Sequence, residues 1–226
     1  MQSVSFGGIF ANETKHWCKT LCYAHSFCSN DTWFFIDIGG YNITRGTLDV
    51  YAGPMYAGKT SKLLQRVLWL DHQQKKVLVV KPAKDNRYNE DTIVTHNQLS
   101  YPCISFSEFS EIEDNYNIMP YNFNTVCLDE IQFMETKDTL SSVEMWLRNG
   151  VNVIAAGLDQ DSRGVPFETT SQLLGLADCV EKIKAICTVC GKPATKTYRV
   201  KATGERIQVG SMGMYEPRCL EHWEPK

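Results

Sequence analysis

The chain has 226 residues, 43% hydrophobic and 22% charged, which suffices for one substantial domain and a small second one. A formal net charge of −3 provides no overall basic surface for a nucleic acid, and no apolar run reaches the roughly 18 residues of a membrane helix. Nine cysteines, an odd number, argue against a complete disulfide framework.

Residues 1–45 read as an extension unlike the rest. The apolar patch Val4 to Ala11 has no basic region before it, which argues against a signal peptide, and the Asn-x-Thr sequons at Asn12, Asn30 and Asn42 matter only in an exported chain. Cys18, Cys22, His25 and Cys28, with His16 as a spare, have spacings found among zinc ligands. Three readings stand: a second metal site, a tail folded on the remainder, or a start site assigned too far upstream. The aromatic run Trp33 to Phe35 suits the second.

From Gly46 the pattern becomes regular. Leu48 to Ala52 is predicted as a buried strand leading into "GPMYAGKT". The following "TSKLLQRVLWL" sets Leu63, Leu64, Val67 and Leu68 on one helical face. Val77 to Val80, Val126 to Leu128 and Val151 to Ala156 are short continuous apolar runs, as strands of a parallel sheet covered on both faces would be. "DTLSSVEMWLRNG" is predicted as a helix capped by Asp138 and stopped by Gly150. Strands alternating with helices predict an α/β domain over 46–185, with 186–226 as a separate small lobe. Cys103, Cys127 and Cys179 sit in apolar contexts and are predicted to be core residues.

Gly53, Pro54, Met55, Tyr56, Ala57, Gly58, Lys59 and Thr60 fit G-x-x-x-x-G-K-[ST], a phosphate-binding loop. Glycines let backbone N–H groups approach phosphate oxygens, and the following helix points its positive end at the anion. Lys59 supplies a mobile charge for the β- and γ-phosphates, and the Thr60 hydroxyl suits Mg²⁺. "TVCLDEIQF" is a second chemical element, an apolar strand ending in Asp129 and Glu130. A strand-end Asp in such folds holds Mg²⁺, and Glu130 is then placed as a base toward whatever attacks the γ-phosphate. A water nucleophile would make the chain an ATPase, perhaps one stimulated by nucleic acid, since "DEIQ" is similar to a motor's carboxylate motif. A substrate hydroxyl would make it a kinase. A zinc-bearing interaction protein with an inactive core is a third class, against which the retained Lys59, Thr60, Asp129 and Glu130 argue.

In the tail, Cys187 and Cys190 ("CTVC") and Cys219 and His222 ("CLEH") form two close-spaced pairs, which together supply the four ligands of a structural zinc. The stretch between them is longer than a compact zinc ribbon needs and suggests a loop projecting from a metal-pinned base. Gly204, Gly210 and Gly213 suit either a flexible lid or plain hairpin turns.

Six ordered segments from about Arg45 to His222 resemble the thymidine kinases of the type shared by bacteria, animals, poxviruses and phages (type II). They are "RGTLDVYAGPMYAGKTSKLLQRV", "KPAKDNRY", "TIVTHN", "DEIQF", "GLDQDSRGVPF" and the Cys/His tail. The resemblance implies a RecA-like P-loop parallel sheet flanked by helices, plus a small C-terminal zinc-binding lobe with a lasso loop closing over the nucleoside. It implies transfer of the ATP γ-phosphate to the 5′-hydroxyl of thymidine, with Mg²⁺ and a structural zinc. It implies that Glu130 accepts the hydroxyl proton and that Arg87 and Lys59 steady the transferring phosphoryl, with Asp85 orienting nearby groups. Asp129, Glu130, Ile131 and Gln132 would border the nucleotide. Met55, Phe133, Leu158 and Phe167 would wall the thymine pocket, Thr197 would contact substrate, Arg206, Ile207, Gln208, Val209 and Gly210 would line the base, and Tyr215 would close the pocket. It further implies a cytoplasmic homotetramer, inhibited by dTTP and serving nucleoside salvage for DNA synthesis, with neither a nucleic-acid nor a membrane partner. One departure stands out: Ser162 occupies a position where the family usually has Phe.

Overall fold

The computed structural model describes residues 45–84, 92–94, 99–200 and 213–225. Its centre is a sheet of six strands, all parallel. In chain order they are β1 (Leu48–Gly53), β2 (Val77–Pro82), β5 (Ile104–Phe106), β6 (Thr125–Leu128), β7 (Asn152–Leu158) and β8 (Cys179–Lys182). Their order across the sheet is β5-β2-β6-β7-β1-β8. A short antiparallel pair, β3 (Thr92–Val94) and β4 (Ser100–Pro102), lies outside it. The helices are α1 (Lys59–His72), α2 (Ser110–Asn115), α3 (Thr136–Arg148) and α4 (Glu168–Leu176). None among the described residues is long and apolar enough to cross a membrane.

Both faces of the sheet are buried along its inner strands, where alternate residues serve opposite faces. Val50, Leu78, Val80, Val126, Leu128, Val153 and Ala155 join one apolar cluster with Trp146 and Leu147 of α3 and Leu173 of α4. Tyr51, Val79, Cys127, Ile154 and Ala156 join the other, with Leu63, Leu64, Val67 and Leu70 of α1. Two-sided burial is why these strands read as continuous apolar runs rather than as alternating ones.

Three details differ from the sequence-based expectations. The side chain capping α3 is Glu135, which accepts from the Asp138 N–H, so Asp138 lies in the first turn instead of at the cap. On α1 the buried stripe runs through Leu70, while Leu68 is only half-buried, because the turn of the helix carries position 70 back toward the sheet. Cys179 is exposed, since β8 is an edge strand whose four residues all face solvent. Cys103 and Cys127 are buried as expected.

After β8 the chain enters the small lobe, built from two antiparallel ladders: β9 (Ala185–Ile186) with β10 (Pro193–Ala194), and β11 (Lys196–Arg199) with β12 (Tyr215–Arg218). A 3-10 turn, Leu220–His222, follows.

Candidate active site at the head of the sheet

In the strand order, β7 separates β1 from β6, and both of these strands end at the same edge of the sheet. The candidate loop leaves the end of β1 and runs straight into α1. Gly58, immediately before the helix, has φ 83°, a left-handed conformation that costs glycine nothing and turns the chain into α1. The Lys59 side chain is buried and folds back along the loop, its Nζ donating to the Pro54 carbonyl at 2.8 Å.

Thr60 and the end of β6 meet. The Thr60 hydroxyl donates to Asp129, at 3.1 Å to Oδ2 and 3.3 Å to Oδ1. Asp129 is 4% exposed. Burial, with the negative charge of Glu130 added to it, pushes the Asp129 carboxyl from its ordinary 3.8 up to about 7, against the opposing effects of the Thr60 hydroxyl and the Lys59 charge. A buried carboxylate with a hydroxyl beside it is a donor set of the hard-oxygen kind that suits Mg²⁺.

Glu130 follows, half-buried, with φ 53° and ψ 42°, and starts a 3-10 turn over Ile131–Phe133. The turn is plugged into the core by Ile131, which is fully buried. Gln132 is 7% exposed; its Nε2 donates to Glu130 Oε2, and its Oε1 accepts from the Leu158 N–H at 2.9 Å.

The residues proposed to wall a base pocket differ in burial. Met55, Phe133, Leu158 and Ser162 are half-buried, whereas Phe167, Thr197 and Tyr215 are buried. Two of them tie the loop to the lobe: the Met55 N–H donates to Thr197 Oγ1 at 3.1 Å. The Tyr215 hydroxyl accepts from Arg199 Nη2 at 2.9 Å. Asp85, Arg87, Arg206, Ile207, Gln208, Val209 and Gly210 lie outside the described residues, as do His16, Cys18, Cys22, His25 and Cys28.

The chain also uses residues that the sequence reading did not single out. Gln160 donates to the Thr195 carbonyl at 3.2 Å and accepts from Lys196 Nζ at 2.6 Å, and Trp223 Nε1 donates to the Thr197 carbonyl at 3.1 Å. The Gln160 bonds fasten the loop after β7 to the lobe, and the Trp223 bond ties the end of the lobe to β11. Asp159, almost fully buried, pairs with Lys182 at 3.1 Å. No spacing rule points to such long-range polar contacts.

In the lobe, one ligand atom from each of Cys187, Cys190, Cys219 and His222 lies within 4.8 Å of the others. Cys190 Sγ is 3.7 Å from Cys219 Sγ, and His222 Nδ1 is 3.8 Å from Cys187 Sγ and 3.2 Å from Cys219 Sγ. Ligands about 2.0–2.3 Å from a tetrahedral zinc are separated by roughly 3.3–3.8 Å, so three thiols and an imidazole gathered in this way fit that ion.

The thymidine kinase family model matches residues 46–223, well over half of the chain, all of the sheet and all but the last residues of the lobe. Among solved structures, the crystal structure of flagellar accessory protein FlaH from Methanocaldococcus jannaschii is similar at 15% identity and a TM-score of 0.41, over 78% of this chain and 88% of that one. So loose a likeness carries no functional argument.

Proposed function

The chain belongs to the thymidine kinase family, and from that premise we propose that it transfers the γ-phosphoryl group of ATP to the 5′-hydroxyl of thymidine, giving dTMP and ADP. The observation that carries this reading is the bond from Thr60 to Asp129, with Glu130 next in the chain. It joins a phosphate loop to a strand-end carboxylate pair.

Phosphoryl transfer asks the protein for positioning and charge neutralisation more than for covalent chemistry. The loop from Gly53 to Thr60 presents backbone N–H groups to the phosphates. Lys59 exchanges the Pro54 carbonyl for a phosphate oxygen. Thr60 and Asp129 would hold Mg²⁺, which when bound neutralises charge on the β- and γ-phosphates. Glu130 takes the proton of the 5′-hydroxyl as that oxygen attacks phosphorus and the bond to the β–γ bridging oxygen breaks. Met55, Phe133, Leu158, Phe167 and Tyr215 enclose the base, Ser162 leaves that wall without an aromatic, and Thr197 reaches the same region from the lobe. Asp85 and Arg87 act on the phosphates, and residues 206–210 act on the base. Zinc on Cys187, Cys190, Cys219 and His222 pins the lobe.

The same proposal includes a cytoplasmic homotetramer engaged in nucleoside salvage, feedback inhibition by dTTP, and an extension, residues 1–45, that the chemistry does not require. ATP consumption measured with thymidine, with single-stranded DNA and with neither tests the central claim. Thymidine should give ADP and dTMP in equal amounts. Consumption that requires DNA would replace the proposal with a nucleic-acid-stimulated ATPase.

A further inference from the structure

Glu130 is an awkward residue for its place. Its φ of 53° lies in the left-handed region, where a residue with a Cβ is held at a cost. Something must therefore hold both the backbone and the carboxylate. On the backbone side the 3-10 turn closes against β7. Gly157 makes room for it, because a Cβ there would sit 2.5 Å from Ile131 Cγ1 and 2.7 Å from Gln132 Oε1. On the side-chain side the only atoms of Gln132 able to form hydrogen bonds both have named partners. One end of the amide is fixed by the Leu158 N–H of β7, and the other is turned onto the Glu130 carboxylate.

We propose that Gln132 is a positioning residue, a buried amide that spans from the end of β7 to Glu130 and aims its carboxylate at the attacking hydroxyl. The inference rests on Glu130 being the base, and goes beyond it by assigning what orients that base. The amide suits the task chemically. Its oxygen can only accept and so is matched to a backbone N–H, and its nitrogen can only donate and so is matched to a carboxylate. Because the anchor is a strand of the central sheet rather than a loop, the bond fixes Glu130 relative to the same sheet that carries the phosphate loop.

Two variants of the full chain separate positioning from mere structural support. Gln132→Met removes both bonds. Gln132→Glu, assayed at pH 8, retains the acceptor for the Leu158 N–H but loses the donor to Glu130. Positioning predicts that both lower kcat about 10- to 100-fold, the scale of a misplaced catalytic group, with KM for ATP and for thymidine within twofold of the parent. Structural support alone predicts near-parent kcat for Gln132→Glu, and that result would overturn the proposal. So would near-parent kcat in both variants. If Gln132→Met fails to fold, Gln132→Glu decides alone. Glu130→Gln, run beside them, tests the underlying reading separately. If it remains active, Glu130 is not the base. If it is inactive while Gln132→Glu is normal, only the role of Gln132 falls.

Discussion

The sheet domain buries Leu48, Val50, Val126 and Trp146 completely, whereas among the described residues the lobe that follows it has an apolar cluster of four small side chains, Ala185, Cys187, Ala194 and Cys219, with Tyr215 buried apart from them. Two of those four are metal-ligand candidates, and Ile186, Val189 and Leu220 of the lobe stand more than half exposed. The first region is held by removing apolar surface from water, at about 25 cal/mol per Å². The second, with few buried apolar side chains among the described residues, instead offers a Cys/His cluster that fits zinc and polar stitches to the sheet side, Met55 to Thr197 and Gln160 to Thr195. The difference teaches that the two regions rest on different kinds of interaction, so under the proposed function chemistry and substrate enclosure can be perturbed separately.

The sharpest perturbation belongs to the sheet side. Glu130→Gln should lower turnover by roughly 10²-fold or more, the scale of a general base, while ATP still binds and the zinc content is unchanged. Single-turnover kinetics beside ATP titration would check this.

Perturbation of the lobe should give the opposite pattern. Elemental analysis of residues 46–226 should find one zinc per chain. Cys187→Ser or chelation should raise the thymidine KM roughly 10-fold or more, because the lobe is built around its metal, while the apolar sheet continues to unfold as a cooperative unit. Thr197→Val, which removes the hydroxyl bond to Met55 together with any contact of that hydroxyl to substrate, should raise the thymidine KM in the same direction with the zinc retained. Loss of the sheet along with the zinc would end the comparison.

Asp129 gives the sheet side a pH signature. Its carboxyl is raised from 3.8 to about 7, so between those values the unfolded chain releases a proton that the folded chain retains. Below about pH 4 both states are protonated and the group has no effect. As pH rises through that window stability falls, and above about pH 7 the loss is complete, on the order of a few kcal/mol. Asp129→Asn should therefore flatten the pH dependence of Tm and raise Tm at pH 8 in Mg²⁺-free buffer, with no such change at pH 4. Thermal melts across that range would read it.

The smallest effect is expected at the pocket wall. Ser162→Phe should tighten thymidine binding by about 0.5–1.5 kcal/mol if an added ring packs there. Calorimetric titration would register it, and weaker binding with the fold intact would mean that the wall is built around serine.

Legibility in the sequence follows the same division. β1, β2, β6 and β7 are visible because burial on both faces gives each a short run of mostly apolar residues. β8 is invisible for the converse reason: as a fully exposed edge strand, "CVEK" carries no burial pattern, and its Cys179 misleads. The helix α4, "ETTSQLLGL", buries Thr169 and Thr170 beside Leu173, so its inner face is half polar and lacks an apolar stripe. The cap of α3 shifts from Asp138 to Glu135 because both are acidic and three residues apart, and only coordinates show which side chain accepts. The loop Gly53 to Thr60, the carboxylate pair Asp129 and Glu130, and each of the two Cys/His pairs are local in sequence, and the structure brings Thr60 to Asp129 and the two pairs to each other. The bonds from Gln132 to Leu158 and from Gln160 to Thr195 join residues 26 and 35 positions apart, and no local pattern encodes them.

Under the role proposed for Glu130, its left-handed backbone sets folding against activity at a single codon. At φ 53° glycine or asparagine is the cheaper occupant, by roughly 1 kcal/mol for glycine. If Glu130 is the base proposed above, a library ranked by heat tolerance alone should enrich replacements here that survive better and do nothing, whereas growth that depends on the reaction should hold glutamate fixed. Stabilisation by relieving left-handed backbone strain has to leave that codon out.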